Sequence, residues 1–300
     1  MMIKYSIKDL EQLSGIKAHT IRIWEKRYHL FEPERTPTNI RYYSDEDLKK
    51  LLNISILNRN GYKISSIVSM DNNEISDRIV EISDAFTDFT NQIEQLTLAM
   101  IDFDEIRFER ILSSSIIKIG FDETVVKILY PFFERIGVLW QIGTIYPAQE
   151  HFVSNLIRQK LIIAIDGQVG NKIENPLTFL LFLPPNEWHE LSLLFFNYLI
   201  RKSGHNVIYL GQSLPLEDLT EIKNKQTINC VLTSFTTSVS LKKYAEIVNQ
   251  ISSEFADKKV FVSGFQSSEH KIKLPANVEV VSDYTGLLNS LQETMQSSGT

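Results

Sequence analysis

The stretch Ala18–Tyr43, AHTIRIWEKRYHLFEPERTPTNIRYY, reads as a short helix, a turn and a β-hairpin. From Ala18 to Tyr28 there is no Pro or Gly, and Ile21 and Trp24 stand at i, i+3 spacing, which gives one apolar stripe. Arg22, Lys26 and Arg27 fall on the other side. Pro33 and Pro37 end any helix, and Thr36-Pro37-Thr38-Asn39 is a turn-forming run ahead of an extended Arg41-Tyr42-Tyr43. Upstream, Ser6 to Gly15 reads as a capped helix that stops at the glycine. A helix, a Gly-containing turn and a second helix form the arrangement that places its second helix in the DNA major groove. Thr20, Arg22, Lys26, Arg27 and Tyr28 on that helix, and Arg35, Arg41 and Tyr42 on the hairpin, are the candidate DNA contacts. The plainer alternative for such a basic face is a solvated surface.

Charge distribution favours the DNA reading. The 300 residues carry a net charge of −6, which is unfavourable for a DNA binder until it is divided along the chain. Residues 1–72 hold 12 Lys/Arg against 9 Asp/Glu, and the remainder 19 against 28. The basic excess sits with the helix-turn-helix, as phosphate neutralisation requires. Length predicts two or three domains, each able to bury a core. The single Cys230 excludes an intramolecular disulfide and a Cys-based zinc site, and reads as a buried strand thiol. No signal peptide and no long uncharged apolar run is present, so a cytoplasmic protein with no membrane contact is expected.

Beyond the hairpin, Ser44 with Glu46 and Asp47 opens another helix, closed by Asn60-Gly61. A short one follows over Ile64–Met70, and a polar linker over Asp71–Asn73. Helical periodicity then runs through Ser76–Met100, Phe103–Ile119, Phe121–Trp140 and Ala148–Ile165, an up-down four-helix bundle. From Leu177 the rhythm changes to alternating strand and helix. LTFLLFL, Asn206–Leu210, Cys230–Ser234, Val260–Val262 and Val278–Val281 are the strands of an open, mostly parallel sheet, whose ligand crevice lies at the strand carboxyl ends. The expected fold is multidomain α and α/β: a winged helix-turn-helix over 1–72, a four-helix bundle over 75–168, and a Rossmann-like or flavodoxin-like sheet over 175–293.

TIRIWEKRY, PERT and NIRYYSDEDL together closely resemble the start of MerR-family transcription regulators. Trp24 and Arg27-Tyr28 point to the subgroup of cobalamin-dependent, light-responsive repressors. Family hairpins carry Gly where Asn39 stands, and Asn is the next best residue for a left-handed turn position. WQIGTIYPAQEHFVSNLIRQKL resembles the bundle of the same repressors. By that resemblance Trp140 covers the upper face of the cofactor, Glu150 contacts its adenosyl group and His151 supports them. Photoreceptor members have a His directly after the Trp, which takes the cobalt once light breaks the cobalt–carbon bond. Here that residue is Gln141, and an amide is a poor cobalt ligand.

In the α/β part, Glu187-Trp188-His189 resembles the cobalamin signature of an acid, any residue and His. The His ligates cobalt from below and the acid holds the other ring nitrogen, which fixes the tautomer. Val207–Gly211 and Leu214-Pro215 also fit. Three positions depart from the pattern. The signature Gly is Ser192, the usual Ser-x-Leu is Ser234-Phe235-Thr236, and the usual Gly-Gly is Ser263-Gly264; each lies where the nucleotide tail of the cofactor would thread. The resemblance implies a DNA-binding regulator, a repressor, acting as a dimer or tetramer on double-stranded operator DNA with adenosylcobalamin as effector. Two rivals stand beside it. One keeps the DNA head but uses a cofactor-free effector domain for protein contacts. The other is a cobalamin enzyme or carrier, which needs a substrate-activating partner domain.

Overall fold

A computed structural model describes residues 5–36, 39–71, 74, 75, 77–79, 89–141, 145–168, 173–270, 272–281 and 286. The chain forms two compact units, Met1–Leu156 and Ile157–Thr300. The first begins with α1 (Ile7–Ser14). Ser6 Oγ accepts from the Asp9 N–H and the Asp9 carboxylate accepts from the Ser6 N–H, a reciprocal cap on the helix start. Gly15, at φ 70°, ends it. Next, α2 (Ala18–Tyr28) buries Ile21 and Trp24, as their spacing requires. The hairpin pairs β1 (Glu34–Arg35) with β2 (Arg41–Tyr42), Arg35 opposite Arg41. Asn39 takes φ 65°, the left-handed position expected for it, while Pro37 and Thr38 lie outside the described residues. Tyr5 and Tyr43 exchange both backbone hydrogen bonds at 2.9 Å, which extends the hairpin's pairing to the chain's start.

A second reciprocal cap, Ser44 with Asp47, starts α3 (Asp45–Arg59). The following α4 spans Ile64–Ile67 and stops short of Met70. Ser69 Oγ donates to the Ser66 carbonyl there, the local side-chain competition that makes serine a poor helix continuer.

The bundle comprises α5 (Thr90–Ile101), α6 (Glu105–Ile119), α7 (Phe121–Thr124), a π-helical turn (Val125–Leu129), α8 (Tyr130–Gln141) and α9 (Pro147–Asp166). The helix expected over 76–100 is described only toward its ends, since 80–88 and Ser76 lie outside the described residues. So do Ile142–Thr144 of the expected break and Asn72-Asn73 of the linker. The helix expected over Phe121–Trp140 is not uniform. Pro131 has no N–H for the ladder and its ring crowds the preceding turn. The chain widens ahead of it, and the Tyr130 N–H reaches back five residues to Val125.

In the second unit, five strands form one parallel sheet in the order β4-β3-β5-β6-β7: β3 (Thr178–Phe182), β4 (Asn206–Gly211), β5 (Cys230–Ser234), β6 (Lys259–Ser263) and β7 (Val278–Val280). In chain order this is 2-1-3-4-5, so the direction of winding reverses between β3 and β5. The connecting helices are α10 (Leu191–Lys202), α11 (Asp218–Lys225) and α12 (Leu241–Glu254), with a short α13 (Phe265–Glu269) that no sequence signal announced. Leu180, Phe182, Val231, Val260 and Val262 from the strands pack with Tyr244, Val248 and Ile251 of α12 in the core. Cys230 is buried and its thiol is pushed up to about 12, burial being the cause. Among the described residues, no helix is long and apolar enough to cross a membrane.

Candidate functional site

On the DNA-reading head, Arg22, Lys26 and Arg27 are exposed along α2, and Thr20 is half-buried near its start. The Arg27 guanidinium stands 5.4 Å from the centre of the Tyr28 ring. The hairpin residues are engaged within the head. Arg35 donates to Asn39 Oδ1 at 2.6 Å, Arg41 to Glu25 Oε1 at 3.0 Å, and Tyr42 to the Glu34 carboxylate. Glu25 also accepts from Tyr43 Oη at 3.1 Å, so one carboxylate of α2 fastens the hairpin. Sequence reasoning gave Glu25 no role, because its partners lie 16 and 18 residues away.

In the bundle, Trp140 and Gln141 are the last two residues of α8, and their side chains lie outside what is described. Glu150 sits in the first turn of α9, accepts from Ser154 Oγ at 2.6 Å and lies 3.7 Å from His151 Nδ1. Buried Gln149 donates to the Ile101 carbonyl at 3.2 Å, which ties the start of α9 to the end of α5.

The loop after β3 carries the densest polar constellation. His189 Nδ1 stands 2.7 Å from Glu187 Oε1. A carboxylate only accepts, so Nδ1 carries the proton and Nε2 keeps its lone pair in the neutral ring. Glu187 is 3% exposed and its second oxygen is clamped by the N–H groups of Thr236 and Thr237, at 2.7 and 2.6 Å. Thr237 Oγ1 adds a bond at 2.9 Å to the first. The backbone N–H groups of Trp188 and His189 complete the set at 3.0 Å each. Burial alone raises the pKa of such a carboxyl. Here the hydrogen bonds from the His189 ring and from the backbone of His189, Thr237 and Thr236 outweigh it and pull Glu187 down to about 2. The donors come from the loops after β3 and β5, the two strands between which the winding reverses. Parallel pairing of these strands, Phe182 beside Thr233, brings the loops together. Thr237 had no local signal: it is 50 residues from its partner.

A depressed carboxyl stabilises the fold above its unfolded value and loses that contribution as pH falls through the folded one. Stability of the second unit is therefore expected to be steady above the ordinary glutamate value of 4.5 and to decline toward pH 2. The decline is on the order of 2–3 kcal/mol, read from urea melts across that range. In Glu187→Gln this acid limb flattens.

Ser192 is half-buried in the first turn of α10. Ser234 is fully buried and its Oγ has no hydrogen-bond partner. Thr236 is engaged with Glu187 through its backbone. Gly264, at φ 90°, faces protein: a Cβ there would lie 2.4 Å from the Phe235 carbonyl oxygen and 2.7 Å from Ser234 Oγ. This glycine is demanded by the fold itself. Ser263 is buried, its carbonyl accepting from Phe235 N–H at 2.8 Å and Ser267 Oγ at 2.7 Å. His205 is structural, with Nδ1 accepting from the Leu177 N–H at 3.2 Å and burial lowering its pKa.

Further polar links escaped the sequence reading. Arg158 of α9 donates to Glu190 at 2.5 Å, and Tyr209 Oη donates to the same buried carboxylate at 2.8 Å. Among the described residues no cluster of three His, Cys, Asp or Glu could hold a metal ion by itself. A single imidazole is the donor set on offer, which would suit a metal whose other positions a macrocycle fills. The Ser234 hydroxyl, buried and without a hydrogen-bond partner, is the polar group that a tail of such a cofactor would satisfy. On these two observations the residues fit cobalamin.

Residues 5–73 match the MerR HTH family of regulatory proteins and residues 92–164 match the B12 binding domain. The chain thus joins a MerR-type helix-turn-helix head to a B12-binding domain. It is homologous to the HTH-type transcriptional repressor CarH of Myxococcus xanthus, 28% identical over 72% of this chain and 73% of that one. The repressor CarA of the same organism is 24% identical over 88% of each. The fold of the monomethylamine corrinoid protein of Methanosarcina barkeri is similar, with a TM-score of 0.54 and 12% identity over 68% of this chain and 97% of that one.

Proposed function

We propose that this protein is a DNA-binding transcription regulator, a repressor by its likeness to CarH and CarA, whose oligomerisation and DNA binding respond to cobalamin in its adenosyl form. The observation that carries the effector reading is His189, oriented through Nδ1 by a clamped, ionised Glu187 at the carboxyl edge of the sheet's switch point. In this reading residues 1–72 read DNA, Trp140, Glu150 and His151 of 75–168 would contact the adenosyl group, and His189 of 175–293 would offer Nε2 to cobalt. Bound cobalamin supplies a metal whose upper ligand light can remove. The chain's own part is to present one imidazole in one tautomer and to couple its binding to assembly. Several heads on one operator then gain affinity through effective concentration rather than new base contacts. The site of action is the cytoplasm, and the role is regulatory rather than catalytic.

The test is a visible spectrum of protein mixed with adenosylcobalamin and desalted in the dark, with size-exclusion chromatography and duplex retardation on the same sample. Retained pigment, a larger oligomer and tighter duplex binding are expected. Duplex binding without pigment favours the cofactor-free effector, the reading to which Ser192 and Ser263 lend support by narrowing the tail's path.

Two variants probe the separate parts. Arg22→Ala is expected to weaken duplex binding and to reduce the slope of log affinity against log salt by about one ion. An unchanged slope removes Arg22 from the interface. Gln141→His is expected to gain, after illumination, the spectrum of cobalamin with two imidazole ligands. Wild type resets instead when fresh adenosylcobalamin is added. That two-imidazole spectrum in illuminated wild type overturns the role assigned to Gln141.

A further inference from the structure

The last turn of α1 is finished by side chains from outside the helix. The Leu13 carbonyl accepts from the guanidinium of Arg135 on α8. The Ser14 carbonyl accepts from Ser55 Oγ at 2.8 Å and from Arg59 at 3.4 Å, both on α3. Arg59 also donates to Ser55 Oγ at 2.5 Å and to the carboxylate of Glu94 on α5. Arg135 Nη1 stands 3.8 Å from that same carboxylate. Glu94 is 1% exposed, so two guanidinium groups converge on one buried charge. Terminal carbonyls of a helix lack intrahelical partners and carry the negative end of its dipole. Cations suit them, and here one of the two comes from the bundle. Directly beyond lie Gly15 and the start of α2, along a cleft lined by Lys17, Thr20, Trp24, Asn58 and Arg59. The turn is thus held from the α1 side by Arg135 and Arg59 and left open toward the cleft.

We propose that Arg135 and Glu94 of the bundle are positioning residues for DNA reading: through the Leu13 and Ser14 carbonyls they set the turn from which α2 departs. The proposal rests on the reading of α2 as the groove helix. A removed Arg135 leaves the Leu13 carbonyl without that donor and Glu94 with one guanidinium where there were two, and α2 loses its fixed angle relative to the bundle. Phosphate contacts, which depend on charge along the surface, tolerate such play; base contacts do not. The loss is therefore expected in sequence selectivity rather than in general affinity.

The experiment uses the full chain. A preferred duplex is first selected from random-sequence DNA with wild type, and affinity is then measured for it and for a scrambled duplex of equal length. Arg135→Gln is expected to lower affinity for the selected duplex about tenfold, with the scrambled duplex and the salt slope nearly unchanged. Amide exchange over residues 10–20 rises by a similar factor. Glu94→Gln gives the same pattern, and it stands in if circular dichroism shows Arg135→Gln unfolded. Arg135→Lys, which keeps a cation and a donor, recovers most of the selectivity. Equal losses on both duplexes, or exchange over 10–20 that matches wild type in both variants, overturns the proposal. If wild type selects no sequence, the DNA reading itself fails, and exchange alone then decides whether the turn is held by Arg135.

Discussion

Replacing His189 with Ala is expected to cost about 100-fold or more in affinity for adenosylcobalamin and to abolish the spectrum of imidazole-ligated cobalt. Losing an outer partner of a metal-binding His typically costs 10- to 100-fold, so losing the ligand itself sets the upper end. Glu187→Gln tests the same geometry one bond further out. Its carboxylate accepts from the imidazole, from four backbone N–H groups and from Thr237 Oγ1. An amide can face only part of that set with an oxygen, and its NH2 confronts donors. A loss of about tenfold is expected, with the ring freed to take either tautomer. Both are measured by titrating the visible spectrum in the dark. If His189→Ala retains wild-type affinity and spectrum, His189 is not the ligand.

Trp24→Ala is expected to remove the DNA head from the folded population. Trp24 is 7% exposed beside fully buried Ile21, and truncating a buried Trp costs about 3–5 kcal/mol. The head belongs to the unit Met1–Leu156, and a loss of that size is a large share of the stability of any such unit. The melt is expected to split: an early transition for the head and an unchanged late one for the sheet unit. Duplex binding disappears while pigment uptake remains. A melt that overlays wild type places Trp24 outside the core of the head.

The parts of this chain that sequence made legible are those whose causes are local. Ser6 with Asp9, Ser44 with Asp47 and the glycine after Ser14 write helix ends into neighbouring residues. Ile21 and Trp24 announce a buried stripe, and Asn39 a left-handed turn. Glu187 and His189 are two residues apart, and the bond between them was legible from that spacing. What stayed hidden depends on distant strands meeting. Thr237 clamps Glu187 only because β5 pairs beside β3, and Arg135 finds Leu13 across 122 residues. Gly264 could be read as room for a cofactor, yet the group pressed against it is the Phe235 carbonyl. Arg41 is tied to Glu25, 16 residues away within the head, a pairing that no local pattern announces.

The widened turn at Val125–Leu129 has a genealogical side. Such a turn is what a helix becomes when it absorbs one inserted residue without breaking. Each residue of a helix advances by about 100°, and the wider turn takes up that extra advance, so Arg135 beyond it keeps its face toward Leu13 and Glu94. The segment before it, anchored at Gly120, stays where it was. Relatives lacking the widened turn are expected to show a one-residue gap between Gly120 and Pro131, and to present the far half of this helix to the same neighbours.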